Sequence, residues 1–188
     1  MAIRDVTVTP AEASALLGVP EKRVRKDIEH GLFDVSSPPR LPFDALVYFL
    51  ASRELDELEP SVEGRRRLYG RIRTALSSKT ETARGIPLSE TGSAVWLDLG
   101  EVVKVVSDRL DSFERWKSSK VTTDPKILGG EPVFRGTRLS VRHIGQLADR
   151  ETVAAILEDY HYLSEADVAF ARRYHLAYPR VGRPRESS

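Results

Sequence analysis

The sequence predicts a mainly α protein with short β segments: an N-terminal helix-turn-helix module and a C-terminal three-helix domain, itself HTH-like, that carries a β-hairpin. Three observations predict it. Short capped helices separated by glycine and proline occupy the first thirty or so residues. Apolar residues then recur at helical intervals, at Leu68, Ile72 and Leu76 and again at Val102, Val106, Leu110 and Phe113. Finally, "DPKILGGEPVFRGTR", Asp124 to Arg138, interrupts the helical pattern with Gly129, Gly130, Gly136, Pro125 and Pro132. The organisation that follows is residues 1–58, 59–119 (a helical connector with a short strand), 120–176 and a basic tail, 177–188.

In the first module Thr9 has the hydroxyl of an N-cap, and Pro10 follows at the first helical position, where its missing N–H is harmless. The helix Pro10 to Leu17 ends at Gly18. Pro20 and Glu21 open a second helix with Val24 and Ile28 turned inward, and Gly31 ends it. On that helix Lys22, Arg25 and Lys26 stand at i, i+3 and i+4, with Arg23 beside them, opposite the apolar side. Such a strip suits a major groove. A solvated helix face, or a protein-docking module, are the blander alternatives.

"VTPAEASALLGVPEKRVRKDIEHGLF", followed by "PRLPFDALVYFL", resembles the MerR/excisionase type of winged helix-turn-helix over about a quarter of the chain. The strip of Lys22, Arg23, Arg25 and Lys26 reads as the DNA-binding face of a recognition helix, and the resemblance implies a small β-wing between Leu32 and Leu41, then a helix from Phe43. The wing departs from the usual pattern. "FDVSSPPR" carries Asp34 and a single cation, Arg40, the one wing residue left to touch phosphate.

After the acidic "RELDELEP", residues Val62 to Leu76 read as a helix bearing Arg65, Arg66, Arg67, Arg71 and Arg73; a solvated charged face outranks phosphate contact there. "SSKTETARG" breaks it. "SAVWLDL" reads as a short strand, and "EVVKVVSDRLDSFERW" as a helix lying against another helix or a partner subunit.

The glycine-rich stretch is a candidate phosphate loop only if backbone N–H groups and a lysine meet the anion. Glu131 and Pro132 follow Gly129 and Gly130 instead; one repels phosphate and the other has no N–H. "KILGGEPVF" is therefore expected to be two β segments, within Ile127 to Phe134, joined at Gly-Gly. Gly136 allows a second turn, and Thr137 or Ser140 caps a helix through Ile144 and Leu147. "ETVAAILEDY" offers Val153, Ile156 and Leu157 to a core; "SEADVAFARRYHL" opens on a Ser164 cap with Asp167 three residues on, then Val168, Ala171 and Tyr174. Glu158, Asp159, Glu165 and Asp167, placed at the starts of the second and third helices, argue against a phosphate-binding surface and for a protein-binding or dimerising unit. Arg138 is expected to pair with a carboxylate such as Asp159.

"VTTDPKILGGEPVFRGTRLSV", with "ILEDYHYLSEADVAFARRY", resembles the small helical domain of antitoxins of the VapB type, which pair with PIN-domain ribonuclease toxins. The matching positions run from Asp124, Pro125, Ile127, Gly130 and Pro132 through Gly136, Thr137, Arg138 and Val141 to Ile156, Leu157, Asp159, Tyr160, Leu163, Asp167 and Val168. "QLADRETV" lacks the glycine often found between the first two helices. The resemblance implies an antitoxin of a type II toxin-antitoxin system that neutralises a PIN-domain ribonuclease and represses its own promoter. A stand-alone DNA-binding regulator is the alternative.

The 29 basic and 28 acidic residues, net +1, confine any nucleic-acid surface to a local patch. Without cysteine there is no disulfide or thiolate zinc site. His30, His143, His161 and His175 lack metal-ligand spacing and no catalytic set is recognisable, so the expectation is a non-enzyme with no cofactor and no metal. No run of eighteen apolar residues exists and "MAIRDVTVTP" lacks a secretory core, so a cytoplasmic protein with no membrane partner is expected. A homodimer on operator DNA follows from operator symmetry and from unpaired edges of the strands at Ile127 to Phe134. In the tail "YPRVGRPRESS", Pro179, Gly182 and Pro184 exclude a stable helix, leaving Arg180, Arg183 and Arg185 on an extended segment. "GRPR" resembles an AT-hook core for the minor groove; alternatively an arginine, Arg183 foremost, enters the carboxylate-lined metal site of the toxin, or the tail is inert.

Overall fold

The computed structural model describes residues 5–53, 61–77, 86–87 and 96–179. It is mainly helical with short antiparallel strand pairs, and it divides into two units, Met1–Glu114 and Arg115–Ser188.

In the first unit β1 (Thr7–Val8) leads into α1 (Pro10–Leu17) through a capping box: Thr9 Oγ1 accepts from the Glu12 amide (3.2 Å) and Glu12 Oε2 from the Thr9 amide (2.7 Å). Such a cap contributes about 1 kcal/mol. Gly18, at φ 69°, ends the helix, and α2 (Glu21–Glu29) follows with Val24 and Asp27 buried. β2 (Leu41–Pro42) pairs antiparallel with β1, Val8 opposite Leu41, and runs straight into α3 (Phe43–Ser52), which is buried along almost its whole length. α4 (Val62–Ser77), read above as part of a connector, packs on α3 with Leu68, Tyr69, Ile72, Ala75 and Leu76 buried. Phe33, Tyr48, Phe49 and Tyr69 form an aromatic cluster of edge-to-face and tilted pairs, centroids 4.9 to 5.9 Å apart, that joins the α2–β2 segment to α3 and α4.

The expected wing is not formed. Residues 33–40 contain no strand, and Leu41 takes Val8 as its partner rather than a second wing strand. Pro38 and Pro39 offer no amide to a ladder.

β3 (Ile86–Pro87) and β4 (Trp96–Leu97) pair antiparallel just before α5 (Leu99–Lys120). The helix break at residues 78–85 lies outside the described residues. α5 buries Leu99, Val103, Val106, Leu110 and Phe113, and Arg109 Nη1 donates to the Leu16 and Leu17 carbonyls at the end of α1 (3.3 and 3.1 Å).

The second unit begins within α5. β5 (Val121–Thr122) pairs antiparallel with β6 (Val133–Phe134), Val121 opposite Phe134. The hairpin expected within Ile127 to Phe134 is thus misplaced. Leu128, Gly129 and Gly130 have φ of 47°, 65° and 88° and form a short 3₁₀ turn, so the backbone before Gly-Gly cannot be a strand, and Phe134 finds its partner thirteen residues upstream. α6 (Val141–Leu147), α7 (Val153–Asp159) and α8 (Glu165–Ala177) complete the unit, capped by Ser140, Thr152 and Ser164. Ile156, Val168, Ala171 and Tyr174 are buried as expected, whereas Val153, at the first turn of α7, is 41% exposed. Glu158 and Asp159 end α7 rather than starting a helix, because Thr152, six residues before Glu158, already caps it.

Candidate nucleic-acid interface

Helix α2 turns two different surfaces to its surroundings. Outward, Lys22, Arg25 and Lys26 are exposed and, with Glu21, Glu29 and His30, line an open groove along the helix. Arg25 is held by Glu21 one turn away, Nε to Oε1 at 2.7 Å, which offsets part of its charge. Lys22 and Lys26 make no ion pair among the described residues. Arg23 leans sideways and donates to Ser52 Oγ at the end of α3 (2.9 Å). Arg40 lies away from this strip. Its Nη2 donates to the Thr7 carbonyl (3.0 Å) and its Nη1 approaches Glu12 (3.9 Å), so it braces β1 and the α1 cap.

Inward, α2 carries a polar anchor that sequence reading missed. Asp27 is fully buried. Tyr48 Oη donates to its Oδ2 (3.2 Å), and Arg65 Nη1 of α4 stands 2.9 Å from Oδ1 at an angle outside hydrogen-bond geometry, so Oδ1 accepts no hydrogen bond and Arg65 Nε donates none among the described residues. Burial raises the Asp27 pKa above 3.8 despite the opposing pull of Arg65 and Tyr48. The same contact network pushes the Tyr48 hydroxyl upward, first by burial and then by the Asp27 charge. Arg65 Nη2 also meets His30 Nδ1 (3.2 Å), and Arg66 Nη2 donates to the His30 carbonyl at the end of α2 (2.5 Å). A second anchor repeats the device on α3: Tyr69 Oη donates to Asp44 Oδ2 (3.1 Å), with Arg73 Nε 3.9 Å away. The arginine-rich α4 is therefore tied by two buried carboxylates to the helices it covers. Asp27 stands three residues after Val24 and one before Ile28, on the inward stripe, and that spacing was the available signal.

In the second unit the "VFRGTRLSVR" segment is nearly all engaged in building the fold. Arg135 closes the end of α5, Nε donating to Ser119 O (2.9 Å) and Nη2 to Ser118 O (2.9 Å) and Val121 O (3.1 Å). Gly136 turns at φ 78°, Thr137 Oγ1 bonds the Phe134 carbonyl (2.9 Å), and Arg142 joins Glu131 (3.2 Å) to the Tyr178 carbonyl (2.9 Å). Arg138 does not pair with Asp159; it is exposed, and the arginine of this segment that pairs with a carboxylate is Arg142, with Glu131. Asp167, mostly buried, accepts from Trp116 Nε1 (3.0 Å) and from the Ser164 amide (3.1 Å) and hydroxyl (2.8 Å). Burial alone would raise its pKa, but those donors and Lys120 outweigh it and hold the carboxyl below 3.8. Arg180, Arg183 and Arg185 lie outside the described residues. Among the described residues no His, Asp and Glu cluster could hold a metal ion, and no helix is long and apolar enough to cross a membrane.

Residues 121–175 match the family model described as a protein of unknown function, DUF433. The match covers the region from β5 into α8. A protein of Sinorhizobium fredii (strain NBRC 101917 / NGR234), uncharacterized protein y4eO, is 32% identical over 147 residues, which cover 73% of this chain and 62% of that protein. The chain thus spans less than two thirds of the relative's length. No solved structure matches.

Proposed function

We propose that the chain is the antitoxin of a type II toxin-antitoxin system, which binds its own promoter through the N-terminal helix-turn-helix and holds a PIN-domain ribonuclease through its C-terminal part, as a homodimer. The observation that carries the DNA half is α2: a helix whose inner side is locked by Val24 and Asp27 and whose outer side presents Lys22, Arg25 and Lys26 along a groove. The toxin half is supported by the resemblance of the glycine-rich block and the α7–α8 block to antitoxins of the VapB type. Phosphate contacts release counterions, so each cation that touches the backbone contributes about 0.9 to the slope of log affinity against log salt. Titration of a labelled duplex from the upstream region tests the DNA half. The double variant Lys22→Ala, Lys26→Ala is expected to weaken binding and to lower that slope by about two. An unchanged slope would remove α2 from the interface. Co-expression with the product of the neighbouring reading frame, followed by pull-down and a ribonuclease assay, tests the toxin half; no capture and no inhibition would refute it.

A further inference from the structure

Recognition helices are commonly flanked by a second contact to the sugar-phosphate backbone that fixes their register. Here the segment where a wing was expected, residues 33–40, is poorly built to supply it: it has no strand, it carries Asp34, and its one cation, Arg40, donates to Thr7 and lies beside Glu12. Another cation touches a residue of the groove of α2 directly. Arg66, at the start of α4, reaches the carbonyl of His30, a residue that lines the groove beside Lys26. Its side chain stays 49% exposed, and only one of its five N–H donors is used on that carbonyl, so the guanidinium has donors left for a phosphate. Glu63, at 3.8 Å, is itself 63% exposed and too solvated to quench it. The neighbouring Arg65, half-buried and paired with the buried Asp27, fixes α4 to α2, so the position of Arg66 relative to Lys22 and Lys26 is set by the fold rather than by a loop.

We propose that α4 takes the place of the wing: Arg66 contacts the phosphate backbone beside the groove occupied by α2, so that the DNA-binding surface runs from Lys22 and Lys26 across His30 onto α4. This rests on the DNA-binding reading of α2. It also assigns a role to the arginine run that opens α4. Arg65 is the tether to the buried Asp27 and Arg66 the ligand contact.

The decisive variant is Arg66→Gln, which removes the charge and keeps a polar, uncharged donor on the helix; Arg66→Lys keeps the charge and serves as its control. Binding of the full chain to the upstream duplex and to an unrelated duplex is measured across a salt series, with circular dichroism and melting temperature as checks of the fold. Arg66→Gln is expected to lower the salt slope by about one on both duplexes, with Arg66→Lys retaining it. A wild-type slope in Arg66→Gln, alongside a reduced slope in the Lys22, Lys26 double variant, overturns the α4 contact and leaves the α2 reading standing. No salt-dependent binding by the wild-type chain overturns both. Should Arg66→Gln lower the melting temperature, binding is compared below its transition, and a slope equal to that of Arg66→Lys again counts against the contact.

Discussion

Asp27 and Arg65 show why a buried charge pair is better read as a setting of geometry than as a source of stability. Desolvation of both groups offsets their attraction, and one atom on each side accepts or donates no hydrogen bond among the described residues. Removing one partner strands the other, so Asp27→Ala is expected to destabilise the chain by about 3–5 kcal/mol, whereas Asp27→Leu with Arg65→Met is expected to be neutral or stabilising. Urea unfolding of the three proteins checks this; a double variant as unstable as the single one would mean that the pair is net favourable. Because the folded pKa of Asp27 is raised, the stability tied to its protonated form is complete below 3.8 and declines as pH rises through the folded value; the double variant should lack that decline. Asp167 works with the opposite sign. Its carboxyl is held below 3.8, so its contribution is present above that value and is lost as pH falls through the folded value. Asp167→Asn is expected to cost about 1.5–3 kcal/mol near neutrality, the worth of charged hydrogen bonds, and the gap from wild type should close in acid. The cap at Ser164 and Asp167 was legible in the sequence because it is local. The indole of Trp116 reaching the same carboxylate from α5 was not, since nothing in a linear spacing reports a contact between residues fifty-one positions apart.

Between α6 and α8 the spacing of the helices is set by a missing side chain. A Cβ placed on Gly145 would stand 2.5 Å from the Ala171 carbonyl oxygen and 2.5 Å from His175 Cβ, a backbone atom and a carbon bonded directly to the backbone, neither of which can swing aside. Alanine normally gains about 1 kcal/mol over glycine inside a helix, but overpacking of this kind costs about 1–3 kcal/mol, so Gly145→Ala is expected to lower the melting temperature rather than raise it. A raised melting temperature would mean that the two helices separate without penalty. Helices were the legible elements: Thr9, Gly18, Ser140 and Ser164 punctuate them where their side chains or missing side chains demand. Strands of two residues were not. Such pairs are fixed by whichever backbone arrives opposite, and Leu41 found Val8 while Phe134 found Val121, each from a distant segment that shows no alternation of its own. Gly-Gly was read correctly as a site of positive φ and wrongly as the tip of a hairpin, since a 3₁₀ turn uses the same backbone freedom.

At the scale of the whole molecule, 29 cations against 28 anions leave no general attraction for nucleic acid, so binding rests on where the charges stand. Dimerisation no longer draws support from free strand edges at Ile127 to Phe134, since Val133 and Phe134 pair with β5 on one side and meet Leu139 and Ser140 on the other; operator symmetry is the remaining reason to expect it, and light scattering showing a monomer at micromolar concentration would count against it. The basic segment after Pro179 bears on the partner in a different way. Its exit point is fixed: Tyr178 is held by Arg142 through its carbonyl (2.9 Å) and by Lys117 through its hydroxyl (3.3 Å), so truncation after Pro179 leaves the anchored end of α8 in place. What it removes is Arg180, Arg183 and Arg185. If these arginines enter the carboxylate-lined site of a PIN ribonuclease, truncation should abolish inhibition of the co-expressed toxin while promoter affinity and its salt slope stay at wild-type values. If "GRPR" lies instead in an A·T minor groove, promoter affinity falls, the slope drops with the lost cations, and inhibition persists. Arg183→Ala refines the first outcome, for one guanidinium seated among carboxylates should account for most of the loss. Retention of both activities by the truncated chain would assign toxin binding to the body of the second unit and leave the three arginines without a role in either.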